Sequence, residues 1–185
     1  MPDSRQKYLY ERLGGNDFQL LVNALLTERF SDYVPLPLGQ SDGGRDGVRR
    51  DGKALLVYQV KWSGTGREKS PVSWLDAAVR KEDANIRRQV AAGATKYLLV
   101  TNVPSTGGPG KGTFDGLDRA LAVHEKTYGI EMDGVWREAV DAMVDGAPDA
   151  TKWSYADMLA GWDLVRYLVD EHARSGRDRG CPHPA

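Results

Sequence analysis

The chain has a single cysteine, Cys181, and only three histidines, His124, His172 and His183. One thiol excludes an intrachain disulfide and fits a reducing compartment. The histidines show no metal-ligand spacing with one another or with the cysteine, so no zinc-type site is expected. His124 reads as a half-buried helix residue rather than a catalyst. No apolar run is long enough to span a bilayer, and the opening MPDSRQKYLYER lacks the apolar core of a signal peptide, so the expectation is a cytoplasmic protein without membrane contact. Neither sign of charge is in surplus. With 25 Lys+Arg against 26 Asp+Glu the net charge is −1, and affinity for nucleic acid has to come from a local patch.

What is present centres on Gly39 to Ser63, GQSDGGRDGVRRDGKALLVYQVKWS. Two strand-like runs, Asp46 to Arg49 and Ala54 to Trp62, flank an Asp-Gly pair, which is a strong short-range hairpin signal. With Asp51-Gly52 as the loop, Arg50 faces Lys53, Val48 faces Leu55 and Asp46 faces Val57. Side chains alternate with a period of two, so Asp46 then shares a face with Val57, Gln59 and Lys61. Asp46 and Gln59 become diagonal neighbours, roughly 7–8 Å apart. Asp42 falls on the same face, and register alone does not separate it from Asp46. The plainer reading is an edge hairpin whose wet face carries Gln59 and Lys61. Against it, Val57 to Trp62 has the character of an interior strand, where lysine is rare.

The rest of the chain reads as follows. Gly14-Gly15 ends a polar lead-in, and Asn16 caps an amphipathic helix to about Phe30, built on Phe18, Leu21, Val22, Leu25 and Leu26. Tyr33 to Leu38, with two prolines, is an edge strand or extended approach. Gly64 to Ser70 is a polar loop. Pro71 to Val90 is one helix with Val72, Leu75, Val79, Ile86 and Val90 inward, ended by Gly93. Its outer face carries Arg80, Lys81, Arg87 and Arg88, diluted by Glu82 and Asp83. Tyr97 to Asn102 is a buried strand reached by a crossover. The glycine-rich run through Lys111 fails as a phosphate loop on spacing, because Gly112 separates Lys111 from Thr113. Helices over Phe114 to Tyr128 and Val135 to Val144 enclose a short strand at Gly129 to Met132. Ala147-Pro148-Asp149 is a boundary. Ser154 with Asp157 resembles a capping box opening an aromatic helix to about residue 172, carrying Tyr155, Leu159, Trp162, Val165, Leu168 and Val169. Residues 175–185 have the composition of a disordered tail.

The run Gly43-Gly44-Arg45-Asp46-Gly47, the hairpin after it and Gln59-Val60-Lys61 resemble the core of the PD-(D/E)xK nucleases. The likeness is closest to the Mrr-like restriction endonuclease branch, in which glutamine replaces the second acid. It covers about the first two-thirds of the chain and chooses Asp46 over Asp42. GGNDFQ, DGGRDG…YQVKWS and KWSYADMLAGWDLVRYL together are similar to the amino-terminal effector domain of bacterial antiphage STAND NTPases.

The resemblance implies an α/β fold with a restriction-endonuclease-like mixed sheet flanked by helices. That nuclease-like domain spans 1–146, with a C-terminal aromatic helical extension over 147–174. The implied activity is Mg²⁺-dependent (or Mn²⁺-dependent) endonucleolytic hydrolysis of DNA. Asp46, Gln59 and the Val60 carbonyl are the implied metal ligands, and Lys61 orients water and offsets charge. The family's first helix often adds an acid; here the matching position is Gln19, with Glu28 the other candidate, read more simply as an exposed charge. Candidate DNA contacts are Arg45, Arg80, Lys81, Arg87, Arg88 and Lys111. Expected partners are DNA, an NTPase or sensor domain or subunit, and a second copy of the chain. The rival expectation is an inactive module of the same fold used for docking or oligomerisation, favoured by the near-neutral charge and by Gln19 in place of an acid.

Overall fold

A five-stranded mixed sheet organises the chain in the order β1-β2-β3-β4-β5, with β1 Tyr33–Pro35, β2 Gly47–Asp51, β3 Ala54–Lys61, β4 Lys96–Thr101 and β5 Glu131–Val135. The computed structural model describes residues 8–39, 44–105 and 114–159, together with Val169. β1, β2 and β3 are antiparallel, whereas β3, β4 and β5 are parallel. The helices are α1 Gly14–Arg29, α2 Pro71–Lys81, α3 Asp83–Ala91, α4 Phe114–Tyr128, α5 Arg137–Gly146 and α6 Asp149–Ser154. Parallel neighbours need long crossovers, and α2–α3 and α4 supply them. The fold is thus α/β, a mixed sheet flanked by helices.

Strand alternation decides which helices meet which face. Tyr58, Val60, Leu98 and Val100 pack with Phe18, Leu21 and Leu25 of α1 and with Val140 and Val144 of α5. Val57, Tyr97 and Leu99 point the other way, onto Leu75 and Val79 of α2, Ile86 of α3 and Leu117 and Leu121 of α4. A strand covered on both faces needs a continuous apolar run, and Tyr97-Leu98-Leu99-Val100 is one. Gln59 and Lys61 alternate with Val60, so both project toward the α2–α4 layer.

Three local expectations are corrected. In the hairpin, Asp51 pairs with Ala54 and Val48 with Val57, so the loop is Gly52-Lys53 rather than Asp51-Gly52. Gly52 has φ +59° and takes the first loop position, where both favoured hairpin turns need positive φ. The register moves by an even step, which keeps every side chain on its face. Continuing that ladder sets Asp46 opposite Gln59 instead of diagonal to it. At α1, the helix begins at Gly14, inside the pair expected to break the chain, and Asn16 lies in the first turn without a capping bond. The expected single helix over 71–90 is two, interrupted at Glu82 with φ −96° and ψ 8°.

The chain end is also different. Ser154 closes α6 and donates back to the Ala150 carbonyl at 3.1 Å, so it opens no helix. Ala156–Met158 is a 3-10 turn that returns to the amino terminus, where Leu9 N–H donates to the Met158 carbonyl at 2.7 Å and Tyr8 bridges Leu159. Trp162, Val165, Leu168 and the tail 175–185 lie outside the described residues. Met158 and Leu159 are buried in the α1–α5 core. Met158→Ala is therefore expected to cost about 2–3 kcal/mol and lower the melting temperature by roughly 5–10 °C. Thermal melts followed by circular dichroism check this, and an unchanged midpoint would show the segment to be loosely applied.

No helix among the described residues is long and apolar enough to cross a membrane.

Candidate functional site

Asp46 stands just before β2, and its backbone is held at both ends. Its N–H donates to the Tyr58 carbonyl at 2.8 Å and its carbonyl accepts from Leu36 N–H at 3.0 Å. The side chain then stands in for the next rung of the ladder: Val60 N–H donates to Asp46 Oδ2 at 2.6 Å. In an extended strand a residue's N–H and C=O leave on the same side, so the Val60 carbonyl faces the Asp46 side of β3. Gln59 Nε2 donates to the same Oδ2 at 2.7 Å. Both side chains are buried, at 9% and 5% exposure, inside a sheet layer that otherwise takes Val57 and Leu99. The Gln59 carbonyl receives a long hydrogen bond from the Tyr97 hydroxyl at 3.4 Å. Burial pushes the Tyr97 hydroxyl well above its ordinary pKa, and the Glu82 and Asp46 charges push it further, so it stays a donor.

Lys61 ends β3 on the same face. Its Nζ lies 2.5 Å from Glu82 Oε1, and Asn85 Nδ2 donates to Glu82 Oε2 at 2.6 Å. Burial raises the Glu82 carboxyl, but the bonds from Lys61 and Asn85 and the lysine charge outweigh it, and the net pKa lies below the ordinary glutamate value. Glu82 is therefore an anion at neutral pH. Its contribution to stability is complete above the ordinary glutamate pKa of about 4.5 and is lost as pH falls through the lowered folded value. Gly44, at φ +78°, packs so closely on Asn85 that a Cβ there would collide with the amide. Gly44 thus fits the Asn85–Glu82 pair against Asp46's own segment. Beyond Lys61, Asn102 braces the strand ends, accepting from Ser63 N–H and donating to the Ser63 carbonyl, each at 2.8 Å.

Asp46, Gln59 and Lys61 are thus on one face, as parity predicts: Asp46 and Gln59 are buried and bonded to each other, and Lys61, about one-quarter exposed, is bonded to Glu82. Glu82 corrects the sequence reading: it is an inward member of this network, 6% exposed, and not part of the outer charged face. Asn85 and Tyr97 likewise lie outside the sequence-derived candidates. A signal for Glu82 was available, because Leu75, Val79, Glu82 and Ile86 continue one inward stripe at helical spacing.

The remaining candidates are dispersed. Gln19 and Glu28 sit on α1, which covers the opposite face of the sheet; Glu28 is exposed and accepts from Thr151 at 2.5 Å. Arg45 is half-buried beside the site. Arg80, Lys81 and Arg88 are exposed, while Arg87 is engaged by Asp83 at 3.1 Å and lies over the Tyr128 ring. Asp42 and Lys111 lie outside the described residues. His124 is buried and bonded to Asp76 at 2.8 Å, away from this network. Among the described residues no three His, Cys, Asp or Glu side chains gather as a metal cluster.

Fold and site together define an α/β protein with a polar network buried at the end of its central strand. Comparisons with protein-family models, with curated proteins and with solved structures each found no match.

Proposed function

We propose that the chain is a metal-dependent endonuclease that hydrolyses DNA phosphodiester bonds. The observation that carries this reading is the buried Asp46–Gln59 pair with the partly exposed Lys61 on the same strand face at the end of β3. A central strand gains nothing in packing from an amide and an ammonium, so their placement there calls for a chemical reason.

The donors at hand fit a hard cation such as Mg²⁺ or Mn²⁺, because the Asp46 carboxylate and the Gln59 and Val60 carbonyls are all oxygens. When bound, such a cation supplies a water of lowered pKa and a Lewis-acid contact to a phosphoryl oxygen. Asp46 is held at both levels, its main chain by Tyr58 and Leu36 and its Oδ2 by Val60 N–H and Gln59 Nε2. Gln59 now turns its N–H₂ to Asp46 and its carbonyl toward Tyr97, and a half-turn of the amide exchanges them. Lys61 brings a positive charge to orient the attacking water and to offset charge on the pentavalent phosphorus. Water adds to phosphorus, one P–O bond breaks, and the leaving oxygen takes up a proton. The resemblance to antiphage effector domains makes DNA the substrate and an NTPase or sensor the partner in this reading.

The test is plasmid cleavage in Mg²⁺ against EDTA, wild type beside Lys61→Ala. The rival reading, an inactive docking module, also has a structural observation in its favour: the polar groups satisfy one another, with Lys61 on Glu82 and two N–H donors on Asp46. No Mg²⁺-dependent cleavage by the wild type would decide for it.

Gln59 gives a graded prediction. Gln59→Glu sets a second carboxylate against Asp46, where two like charges repel unless a cation lies between them. The variant is expected to melt lower than wild type without metal, to recover with Mg²⁺, and to reach half-maximal cleavage at several-fold lower Mg²⁺. Gln59→Ala shifts that midpoint upward or removes activity. Mg²⁺ titrations of the three proteins check this, and superimposable curves would remove Gln59 from the site.

A further inference from the structure

We propose that Glu82 is the second anionic ligand of the cation site, and that Lys61 is stored against it until a cation takes its place. The inference rests on the nuclease reading, and it changes the charge count. Strand β3 offers only an amide beside Asp46, which leaves one negative ligand from the hairpin. The chain returns the second charge from the opposite side, through the break between α2 and α3.

Four observations converge on Glu82. It occupies an inward stripe position between Val79 and Ile86, where an apolar residue would pack at less cost than a buried carboxylate. The helix is interrupted at this residue alone, so the break and the inward carboxylate coincide. Both oxygens are held, Oε1 by Lys61 and Oε2 by Asn85, as a ligand's orientation is held by its outer partners. Packing brings the two acids' segments together: Gly44, two residues before Asp46, lies against Asn85, which bonds Glu82, while Gln59, which bonds Asp46, lies on the same strand face as Lys61, which also bonds Glu82.

The charges then explain the ion pair. Asp46 and Glu82 carry two negative charges, and Lys61 offsets one of them. A divalent cation between the carboxylates competes with the ammonium for Glu82. Once displaced, Lys61 is free to turn to water or phosphate, and its side chain is already about one-quarter exposed. Lys61 is thus withheld from chemistry while the metal is absent.

The test measures Mn²⁺ alone, by calorimetric titration into the full chain without DNA, with plasmid cleavage run in parallel. Glu82→Gln is expected to weaken Mn²⁺ binding by about tenfold or more, as loss of a charged ligand does. Lys61→Met is expected to do the reverse, tightening Mn²⁺ binding while cleavage is lost, because the competing ammonium is gone. A Glu82 that is only a structural counter-ion predicts unchanged affinity in both variants, with effects confined to melting temperature. Should Glu82→Gln not fold, Lys61→Met decides alone: unchanged or weaker Mn²⁺ binding overturns the proposal. Asp46→Asn separates the two levels. If it loses binding and cleavage while Glu82→Gln binds like wild type, the proposal fails and the nuclease reading stands. If wild type neither binds Mn²⁺ nor cleaves, the nuclease reading falls and takes the proposal with it.

Discussion

Lys61→Ala and Asp46→Asn are each expected to lower Mg²⁺-dependent plasmid cleavage by a factor on the order of 10²–10³, the usual cost of one electrostatic catalytic group. The two losses arise differently. Asp46→Asn keeps the shape and hydrogen-bonding reach of the side chain, so Val60 N–H retains an acceptor while the negative charge is gone. Lys61→Ala leaves Glu82 with only the Asn85 amide on its carboxylate. That variant should melt lower, since a buried carboxylate has lost its ion pair. Cleavage is therefore to be compared well below both melting temperatures, with circular dichroism showing each variant folded. Arg119→Ala serves as the control, because it is exposed on α4, its bond to the Asp115 carbonyl stays within that helix, and it is not among the candidate DNA contacts. Full cleavage by either site variant removes that residue from the chemistry.

Much of this arrangement was legible because it depends on parity rather than on position. The hairpin register read from Asp51-Gly52 is displaced, yet the displacement is even, and Asp46, Gln59 and Lys61 remain on one face. The Asp-Gly signal fixes that a turn exists but not which glycine neighbour shares the loop. Tyr97 to Val100 was equally legible, since a strand buried on both sides leaves a continuous apolar run. What failed depends on tertiary contact. Pro71 to Val90 carries uninterrupted helical periodicity, and only Lys61, distant in sequence, gives Glu82 a reason to point inward at the break. Residue type puts Glu82 on the outer face, whereas its spacing puts it on the inner stripe. Ser154 and Asp157 have the pattern of a cap, but Leu9 and Tyr8 capture the following turn. Local sequence carries no trace of that closure between the two ends.

The same closure leads to the largest stability effect expected outside the site. Arg137 opens α5 and is only 6% exposed. A cation there opposes the helix dipole, so it has to be held by stronger partners. Its guanidinium donates to Glu11 Oε1 at 2.6 Å and Oε2 at 3.2 Å, to the Asn102 carbonyl at 2.9 Å and to the Tyr8 carbonyl at 2.7 Å. It also lies over the Tyr10 ring, 5.0 Å from its centroid. One fork thus joins the amino-terminal segment, the end of β4 and α5. Arg137→Ala takes the charged partner from Glu11, which keeps a 3.3 Å bond from Asn102 Nδ2, and removes a donor from two carbonyls at once; breaking such a buried pair costs about 3–5 kcal/mol. For a chain of this size that corresponds to a melting temperature lower by roughly 10–15 °C. Arg137→Lys keeps the charge but has no planar fork, and should recover only part of the loss. A double-mutant cycle with Glu11→Gln measures the pair itself, because the Arg137→Ala cost should shrink when the Glu11 charge is absent. If Arg137→Ala melts within about 2 °C of wild type, less than roughly 1 kcal/mol is at stake. The amino-terminal segment would then be held by Tyr8 and Tyr10, through their bonds to Asp145 and Asp141, and not by the arginine.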